Sequence, residues 1–208
     1  IAKMKFKKLL QNFMTEVQER YFKDIRGRRN TPRGQLSVSE DVGKKDFIRF
    51  NANPLPRSFT YAVVEFNQGR YQVILMENFV NKKVLLKLGV RSREEDKHPN
   101  YPILAWDGKG TRLAVLYNEE GKTKFFVYDL VNRVKLWKQE IDKFDQVQDM
   151  KYMLDNNTLL LSAVKSGQTD IFVYKIDKQT VEQITNDVYD DLDPSFVAFP
   201  NKTGIIYS

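Results

Sequence analysis

The spacing of hydrophobic residues along the chain changes from a helical pattern to a strand pattern near residue 47. Within residues 3–26, apolar positions recur every three or four residues, which places them on one face of a helix. The positions that carry this spacing are Phe6, Leu10, Phe13, Val17 and Tyr21. Residues 27–34 then hold Gly, Arg, Asn and Pro, which end helices and form linkers. We therefore predict a helix and its linker over residues 1–34.

After residue 47, short runs of β-branched and aromatic residues alternate with turns rich in Asn, Gly, Asp and Lys. No second long amphipathic segment separates these runs, so the pattern argues against a parallel sheet with crossover helices. The runs predict strands at Phe59–Phe66, Tyr71–Met76, Arg112–Tyr117, Lys124–Tyr128, Thr158–Val164, Asp170–Tyr174 and Thr203–Tyr207.

The second region also repeats internally. Three segments share an aromatic residue, a polar turn, a Thr and an apolar run; they begin at Trp106, Tyr152 and Phe196. Their Thr residues stand at 111, 158 and 203, which gives intervals of 47 and 45. The segment Glu120–Leu130 matches Ser166–Ile176 at an interval of 46, and a weaker copy near Asn67 lies 52 residues earlier. Self-similarity at this interval indicates a repeat architecture.

An interval near 45 with four short strands per unit fits one blade of a β-propeller. We predict an all-β partial propeller of about three four-stranded antiparallel blades over residues 35–208, with strands of about five residues. Trp106, Tyr152 and Phe196 should occupy equivalent positions and pack between neighbouring sheets. Because propellers have about four to eight blades, we expect the ring to be incomplete and the parent protein to be larger.

The repeats resemble those of the TolB-type, WD-like propeller family over roughly residues 50–208. The resemblance is carried by Pro102–Lys109, by Ile184–Asp187 with Asp190–Phe196, and by the degenerate copy Asp149–Asn157. It implies a propeller fold. The style of the sequence is also similar to large envelope proteins of Bacteroidetes-type bacteria that carry such repeats. That similarity implies a periplasmic or outer-membrane-associated location.

Charge is concentrated at the N-terminus. The net charge of the chain is +7, and residues 1–34 hold ten Lys or Arg against three Asp or Glu, so the remainder is neutral. The chain has no Cys and a single His. These counts exclude disulfides, thiolate metal sites and clusters or triads that need several His or a Cys in the printed sequence.

Three motifs invite a functional interpretation. Asp187, Asp190, Asp191 and Asp193 form an acidic cluster that could bind Ca²⁺, but its spacing lacks the alternation and the Gly of a calcium loop. We interpret it as a turn before a blade, where Asp caps backbone N–H groups and Pro194 precedes the strand.

The other two motifs are weaker. Gly121-Lys122-Thr123 echoes a phosphate-binding loop, yet Leu116 stands where the upstream Gly would be needed and no helix follows. His98 lies in a charged segment next to Pro99, without a nucleophile elbow elsewhere, and we interpret it as a solvated loop residue. We assign no catalytic, cofactor-binding or metal-binding residue.

The function that the sequence favours is a non-catalytic scaffold that binds a protein or peptide, part of a larger cell-envelope protein. The alternative is a propeller that gates a prolyl-oligopeptidase-type serine peptidase, with the catalytic domain outside these residues. A third hypothesis is that residues 3–33 bind an anionic membrane surface or nucleic acid. For this helix we favour instead a connector whose apolar stripe packs on another domain or on the side of the propeller. We expect no cofactor and no small-molecule substrate, and we disfavour nucleic acid because the basic residues belong to the arm and not to the blades.

Overall fold

The computed structural model describes residues 6–25, 46–67, 70–78, 81–89 and 101–208. Contacts divide the chain into two compact units, residues 1–39 and residues 40–208. In the first unit, the helix α1 spans Phe6–Ile25, which confirms the predicted helix within the described residues. The predicted linker over residues 27–34 lies outside them.

The second unit is built from strands. Their bounds are β1 Asp46–Ala52, β2 Thr60–Asn67, β3 Arg70–Glu77, β4 Asn81–Leu88, β5 Ile103–Trp106, β6 Arg112–Glu119, β7 Lys122–Asp129, β8 Val134–Glu140, β9 Gln146–Tyr152, β10 Thr158–Lys165, β11 Gln168–Lys175, β12 Thr180–Gln183, β13 Ser195–Phe199 and β14 Lys202–Ile206. All the predicted strands are present. Most strands run for seven or eight residues, so the predicted length of about five holds only for the shorter ones.

The strands form successive antiparallel meanders. Strands β1–β4, β5–β8 and β9–β12 make three four-stranded sheets, here called blades 1, 2 and 3, and β13 pairs with β14 alone. The first strands of neighbouring sheets contact one another, so they line the inner side of the array and the fourth strands lie outermost. Residues 101–208 contain no helix. The all-β architecture with four-stranded blades and an N-terminal helix is confirmed.

Successive apolar side chains of the central strands point to opposite faces of a blade, which explains why the blades stack on both sides. In β6, Leu113 and Val115 belong to the apolar cluster shared with blade 1, whereas Ala114 and Leu116 belong to the cluster shared with blade 3. Successive side chains of a strand point to opposite faces, so a central strand needs apolar residues at every position when both faces are covered. A third cluster, which includes Leu160, joins blade 3 to the β13–β14 pair.

The three aromatic residues of the repeat have equivalent roles. Trp106, Tyr152 and Phe196 lie on the first strands of successive sheets, and each packs in the cluster shared with the preceding sheet. Trp106 and Tyr152 are both 8% exposed. The prediction that they pack between sheets is confirmed.

The alignment of the repeat on Thr residues is corrected by the strand register. Trp106 pairs with Leu113 and Tyr152 pairs with Leu159, so equivalent positions in blades 2 and 3 are 46 residues apart throughout. In this register Thr158 corresponds to Arg112, not to Thr111. The interval of 47 arose because Thr111 and Thr158 donate to their turn aspartates from different distances along the chain, four residues after Asp107 and three after Asp155.

Polar contacts also fix blade 1 to blade 2. The Asn51 side chain donates to the Leu104 carbonyl at 2.8 Å, and the indole N–H of Trp106 donates to the Asn51 carbonyl at 3.1 Å. The Asn53 side chain donates to the Gly110 carbonyl at 2.7 Å. Gly110 has a φ of 63°, and a Cβ there would stand 2.0 Å from the Asn53 Oδ1 atom, so this close approach requires Gly.

Two buried tyrosines between blades 2 and 3 have opposite hydrogen-bonding status. The Tyr101 hydroxyl accepts a hydrogen bond from the Val147 N–H at 2.9 Å. The Tyr152 hydroxyl is buried without a hydrogen-bond partner. Burial, reinforced by the charge of Asp107, raises the pKa of Tyr152 well above its ordinary value of 10.0. The folded protein therefore holds this proton more tightly than the unfolded chain does.

This difference gives a prediction for a matched pair of substitutions. Tyr152→Phe should raise the free energy of unfolding at neutral pH by about 1 kcal/mol, because it removes an unsatisfied buried hydroxyl. Tyr101→Phe should lower it by about 1–3 kcal/mol, because the Val147 N–H loses its acceptor. Urea titration of both variants measures these changes.

Tyr152→Phe also gives a prediction for the stability of the protein at alkaline pH. A raised folded-state pKa contributes stability that is present below the unfolded-state pKa near 10 and is lost as the pH rises from there toward the folded-state pKa. The Tyr152→Phe variant should therefore lose less stability than the wild type between neutral pH and alkaline pH above 10. Equal alkaline losses in the two proteins would contradict the assignment of this titration to Tyr152.

Candidate functional site

The connections between blades gather at one end of the sheets, here called the link end. It comprises the hairpins at 119–122 and 165–168 and the links at 141–145 and 184–194. These segments carry eight acidic and three basic residues. The connections at the opposite end, at 53–59, 107–111, 130–133, 153–157, 176–179 and 200–201, carry three acidic and four basic residues. Among the described connections, the acidic residues are therefore concentrated in those of the link end.

The longest described connection at the link end is the acidic loop, residues 186–193. Hydrogen bonds attach it to blade 3. The Thr169 N–H donates to the Asp190 carboxylate at 3.1 Å, and the Asp191 N–H donates to the Thr169 carbonyl at 2.9 Å. The Ser162 hydroxyl, which is fully buried, donates to the Asp191 carbonyl at 2.9 Å. The loop is thus anchored by both its backbone and its side chains.

The tip of the acidic loop presents two large apolar side chains. The Asp187 carboxylate accepts a hydrogen bond from the Tyr189 N–H at 2.8 Å, which closes a local turn. Val188 is 86% exposed and Tyr189 is 73% exposed. Sequence reasoning did not single out these two residues. The available signal was a pair of apolar residues inside a run of aspartates that belongs to no strand.

The interpretation of these aspartates as turn caps holds for Asp187 and Asp190. Asp187 and Asp190 accept backbone N–H groups as predicted for a turn before a blade, and β13 begins directly after Pro194. Within the described residues, no group of three or more His, Cys, Asp or Glu is arranged to hold a metal ion. Asp191 differs from the others, because it is 6% exposed and its Oδ2 atom has no hydrogen-bond partner.

The two weaker motifs have different outcomes. Gly121-Lys122-Thr123 lies in the hairpin between β6 and β7, where Glu120 and Gly121 both adopt positive φ, and no helix follows. The homologous turn of blade 3 uses Ser166 and Gly167 in the same way, as the sequence match predicted. His98 and the charged segment around it lie outside the described residues.

At the opposite end, carboxylates serve as turn caps. Asp107 is fully buried and accepts the Thr111 N–H, the Thr111 hydroxyl and the Arg112 N–H at 2.7–2.9 Å. The Asn132 N–H donates to Asp129, and this hydrogen bond lowers the pKa of that carboxyl. The carboxylates at this end are therefore engaged in holding the backbone.

A polar cavity of about 270 Å³ lies between blades 2 and 3 at the outer rim. Its lining residues are Glu140, Ile141, Asp142, Lys143, Tyr174 and Gln179. The Tyr174 hydroxyl donates to the Gln139 side chain at 2.8 Å, and burial raises the pKa of Tyr174. The cavity is lined by charged groups of both signs, and its one hydroxyl, that of Tyr174, already donates to Gln139. The lining residues therefore do not form a convergent set of reactive groups.

The helix α1 keeps its predicted apolar stripe exposed. Phe6 is 78% exposed and Phe13 is 59% exposed. Within Phe6–Ile25 four basic residues stand against three acidic ones, so most of the basic excess of the arm lies outside the described helix. In the described part of the chain, no helix is long and apolar enough to cross a membrane.

Comparison with known proteins gives structural similarity alone. No protein-family model and no curated protein sequence matches the chain. TolB from Acinetobacter baumannii superposes with a TM-score of 0.50 and 13% identity over 65% of this chain and 31% of that one. The putative TolB from Agrobacterium tumefaciens superposes with a TM-score of 0.48 and 16% identity over 65% of this chain and 45% of that one. The β-propeller domain of the Trilobed protease from Pyrococcus furiosus superposes with a TM-score of 0.46 and 12% identity over 70% of this chain and 44% of that one.

The similarity to TolB from Acinetobacter baumannii shows the fold. The blades have the architecture of a TolB-type β-propeller, which confirms the resemblance stated from the sequence repeats. The chain spans less than half the length of each of these proteins.

Proposed function

We propose that this chain is a non-catalytic scaffold that binds a protein partner through the connections at the link end of its blades. The observation that carries the proposal is the acidic loop, which is anchored to blade 3 and presents exposed Val188 and Tyr189. Rigid repeats that display exposed loops are a common setting for recognition. Exposed aromatic side chains in such loops supply much of the binding energy at protein interfaces.

The structural roles of the carboxylates support a binding function over a catalytic one. Asp107, Asp129 and Asp190 accept backbone N–H groups and so hold turns in place. Catalysis by carboxylates needs two such groups facing one another with separated pKa values, and capping roles do not provide that arrangement. The negative link end also favours a protein over nucleic acid, because phosphates would be repelled there.

We further propose a periplasmic or outer-membrane-associated location within a larger envelope protein. The family resemblance of the repeats supports this location, and the usual blade number of propellers supports a larger parent. The alternative, a propeller gating a serine peptidase, has the same fold and would place the reaction in another domain. Binding of an anionic membrane by residues 3–33 is a further alternative for the basic arm.

The test is capture by the full 208-residue chain. The immobilised chain should retain one defined protein from a cell-envelope extract of the encoding cells, in stoichiometric amount and with affinity that the purified pair reproduces. The same preparation should not turn over peptide, ester or phosphate substrates. Retention of no protein, or turnover that is lost in Asp190→Asn or Asp191→Asn variants that remain folded, would contradict the proposal.

A further inference from the structure

The tip of the acidic loop has the chemistry of a binding anchor. Val188 and Tyr189 are adjacent and 86% and 73% exposed, whereas twelve of the other Val and Tyr residues in the described part of the chain are buried in the blades. Tyrosine is enriched at binding hot spots because its ring offers a large contact area with few rotatable bonds. An aromatic and an aliphatic side chain side by side therefore provide an apolar contact that a partner can cover.

Hydrogen bonds within the chain hold the loop in place. Its tip is closed by the hydrogen bond from the Tyr189 N–H to Asp187, and its base is held by three hydrogen bonds to Thr169 and Ser162. A preordered loop loses little conformational entropy on binding, which favours its use as a recognition element.

Charge defines the class of partner. Residues 186–193 contain four aspartates and no basic residue, and the whole link end carries an acidic excess. Asp191 adds a buried Oδ2 atom without a hydrogen-bond donor. A partner that covers Tyr189 must also come close to these carboxylates, so acidic surfaces are repelled and Lys or Arg side chains are attracted.

We infer that the acidic loop binds a basic segment of a protein partner, in which Lys or Arg residues flank an apolar residue that contacts Val188 and Tyr189. The inference rests on the proposed scaffold function and adds the location of the site and the chemistry of the partner. The carboxylates of Asp187, Asp190 and Asp193 would face the cationic groups of that segment.

Fluorescence anisotropy with three matched peptides tests the inference. The peptides share the same Leu and Trp positions and carry Lys, Gln or Glu at all remaining positions. The full chain should bind the Lys peptide at least about tenfold more tightly than the Gln peptide and should not bind the Glu peptide. The preference for Lys should shrink as the salt concentration rises, because the exposed charges are screened. Equal binding of the Lys and Gln peptides would overturn the inference.

Variants of the chain test the location. Val188→Ser with Tyr189→Ser, and separately Asp187→Asn with Asp190→Asn, should each weaken binding of the Lys peptide at least about tenfold. The Asn substitutions keep a side-chain oxygen that can accept the backbone N–H groups, and thermal unfolding checks that each variant is folded. The controls are Val131→Ser and, separately, Asp155→Asn with Asp177→Asn, all at the opposite end. The second control removes the same charge from aspartates that also accept backbone N–H groups.

The outcomes separate this inference from the proposed function. If the loop variants bind the Lys peptide as the wild type does, or if the controls weaken binding equally, the assignment to the acidic loop is wrong. If in addition the captured partner is still retained by the loop variants, the scaffold function stands while its site lies elsewhere. If no protein is captured at all, the scaffold function itself fails.

Discussion

Replacing Trp106 by alanine should lower the free energy of unfolding by about 3–5 kcal/mol, the usual cost of deleting a buried large aromatic side chain. The ring is 8% exposed and packs in the apolar cluster that joins blade 1 to blade 2. Its N–H also donates to the Asn51 carbonyl of blade 1, so the substitution removes a polar contact together with the packing. Urea titration followed by circular dichroism measures the loss.

The other tryptophan of the chain provides a matched control. Trp137 lies on the outer strand β8 and is only partly buried, with Arg112 stacked over its ring at 5.2 Å. Trp137→Ala should therefore cost less, about 1–2 kcal/mol. If both substitutions cost the same, or if Trp106→Ala costs below about 1 kcal/mol, the ring of Trp106 is not packed between the blades as described.

Replacing Asp107 by alanine should cost about 3 kcal/mol, because the carboxylate is fully buried and accepts three hydrogen bonds from Thr111 and Arg112. Without it, the two backbone N–H groups lose their acceptor in a partly buried turn, and each such loss costs about 1–3 kcal/mol. Asp107→Asn should recover part of the stability, because an amide oxygen still accepts one of these hydrogen bonds. Denaturant titration of the two variants measures both effects.

Blade 3 offers the corresponding control. Asp155 accepts hydrogen bonds from the Asn157 N–H and from Thr158 in the equivalent turn, but it is exposed to solvent. Thr158 is itself only 6% exposed, but water can occupy the place of this exposed carboxylate, so Asp155→Ala should cost less, about 1 kcal/mol, a typical value for a lost cap. A cost for Asp155→Ala as large as that for Asp107→Ala would show that burial does not set the difference.

The sequence predicted the central strands of each blade better than the outer ones, and burial explains why. Strands β6 and β10 are covered on both faces, so apolar residues fill five of the eight positions of each strand without strict alternation, and the runs are easily recognised. The outer strands β4, β8 and β12 are largely exposed to solvent and carry many charged residues, so their hydrophobic pattern is weak. The repeat as a whole compensated for this, because a match in the central strands implies the outer ones.

The register of the repeat and the exposed loop tip required the structure. Thr111 and Thr158 both bond to an aspartate, but the aspartate stands four residues before the first and three before the second, so aligning the two Thr residues shifts the register by one. The aspartates around residue 190 were recognisable as turn caps. Val188 and Tyr189 were not recognisable as surface residues, because apolar residues near a strand are usually buried. Their exposure depends on the turn that the hydrogen bond to Asp187 closes, and the sequence pattern does not show that turn.

The most direct test of the scaffold account is photo-crosslinking in the encoding cells. A benzophenone amino acid is introduced at Val188 of the full chain, and in separate cells at Val131, which is 74% exposed at the opposite end. If the acidic loop binds a protein partner, position 188 should give a single discrete adduct with another protein, and position 131 should give no such adduct. An adduct from position 131 but not from position 188, or no protein adduct from either position in folded chains, would contradict it.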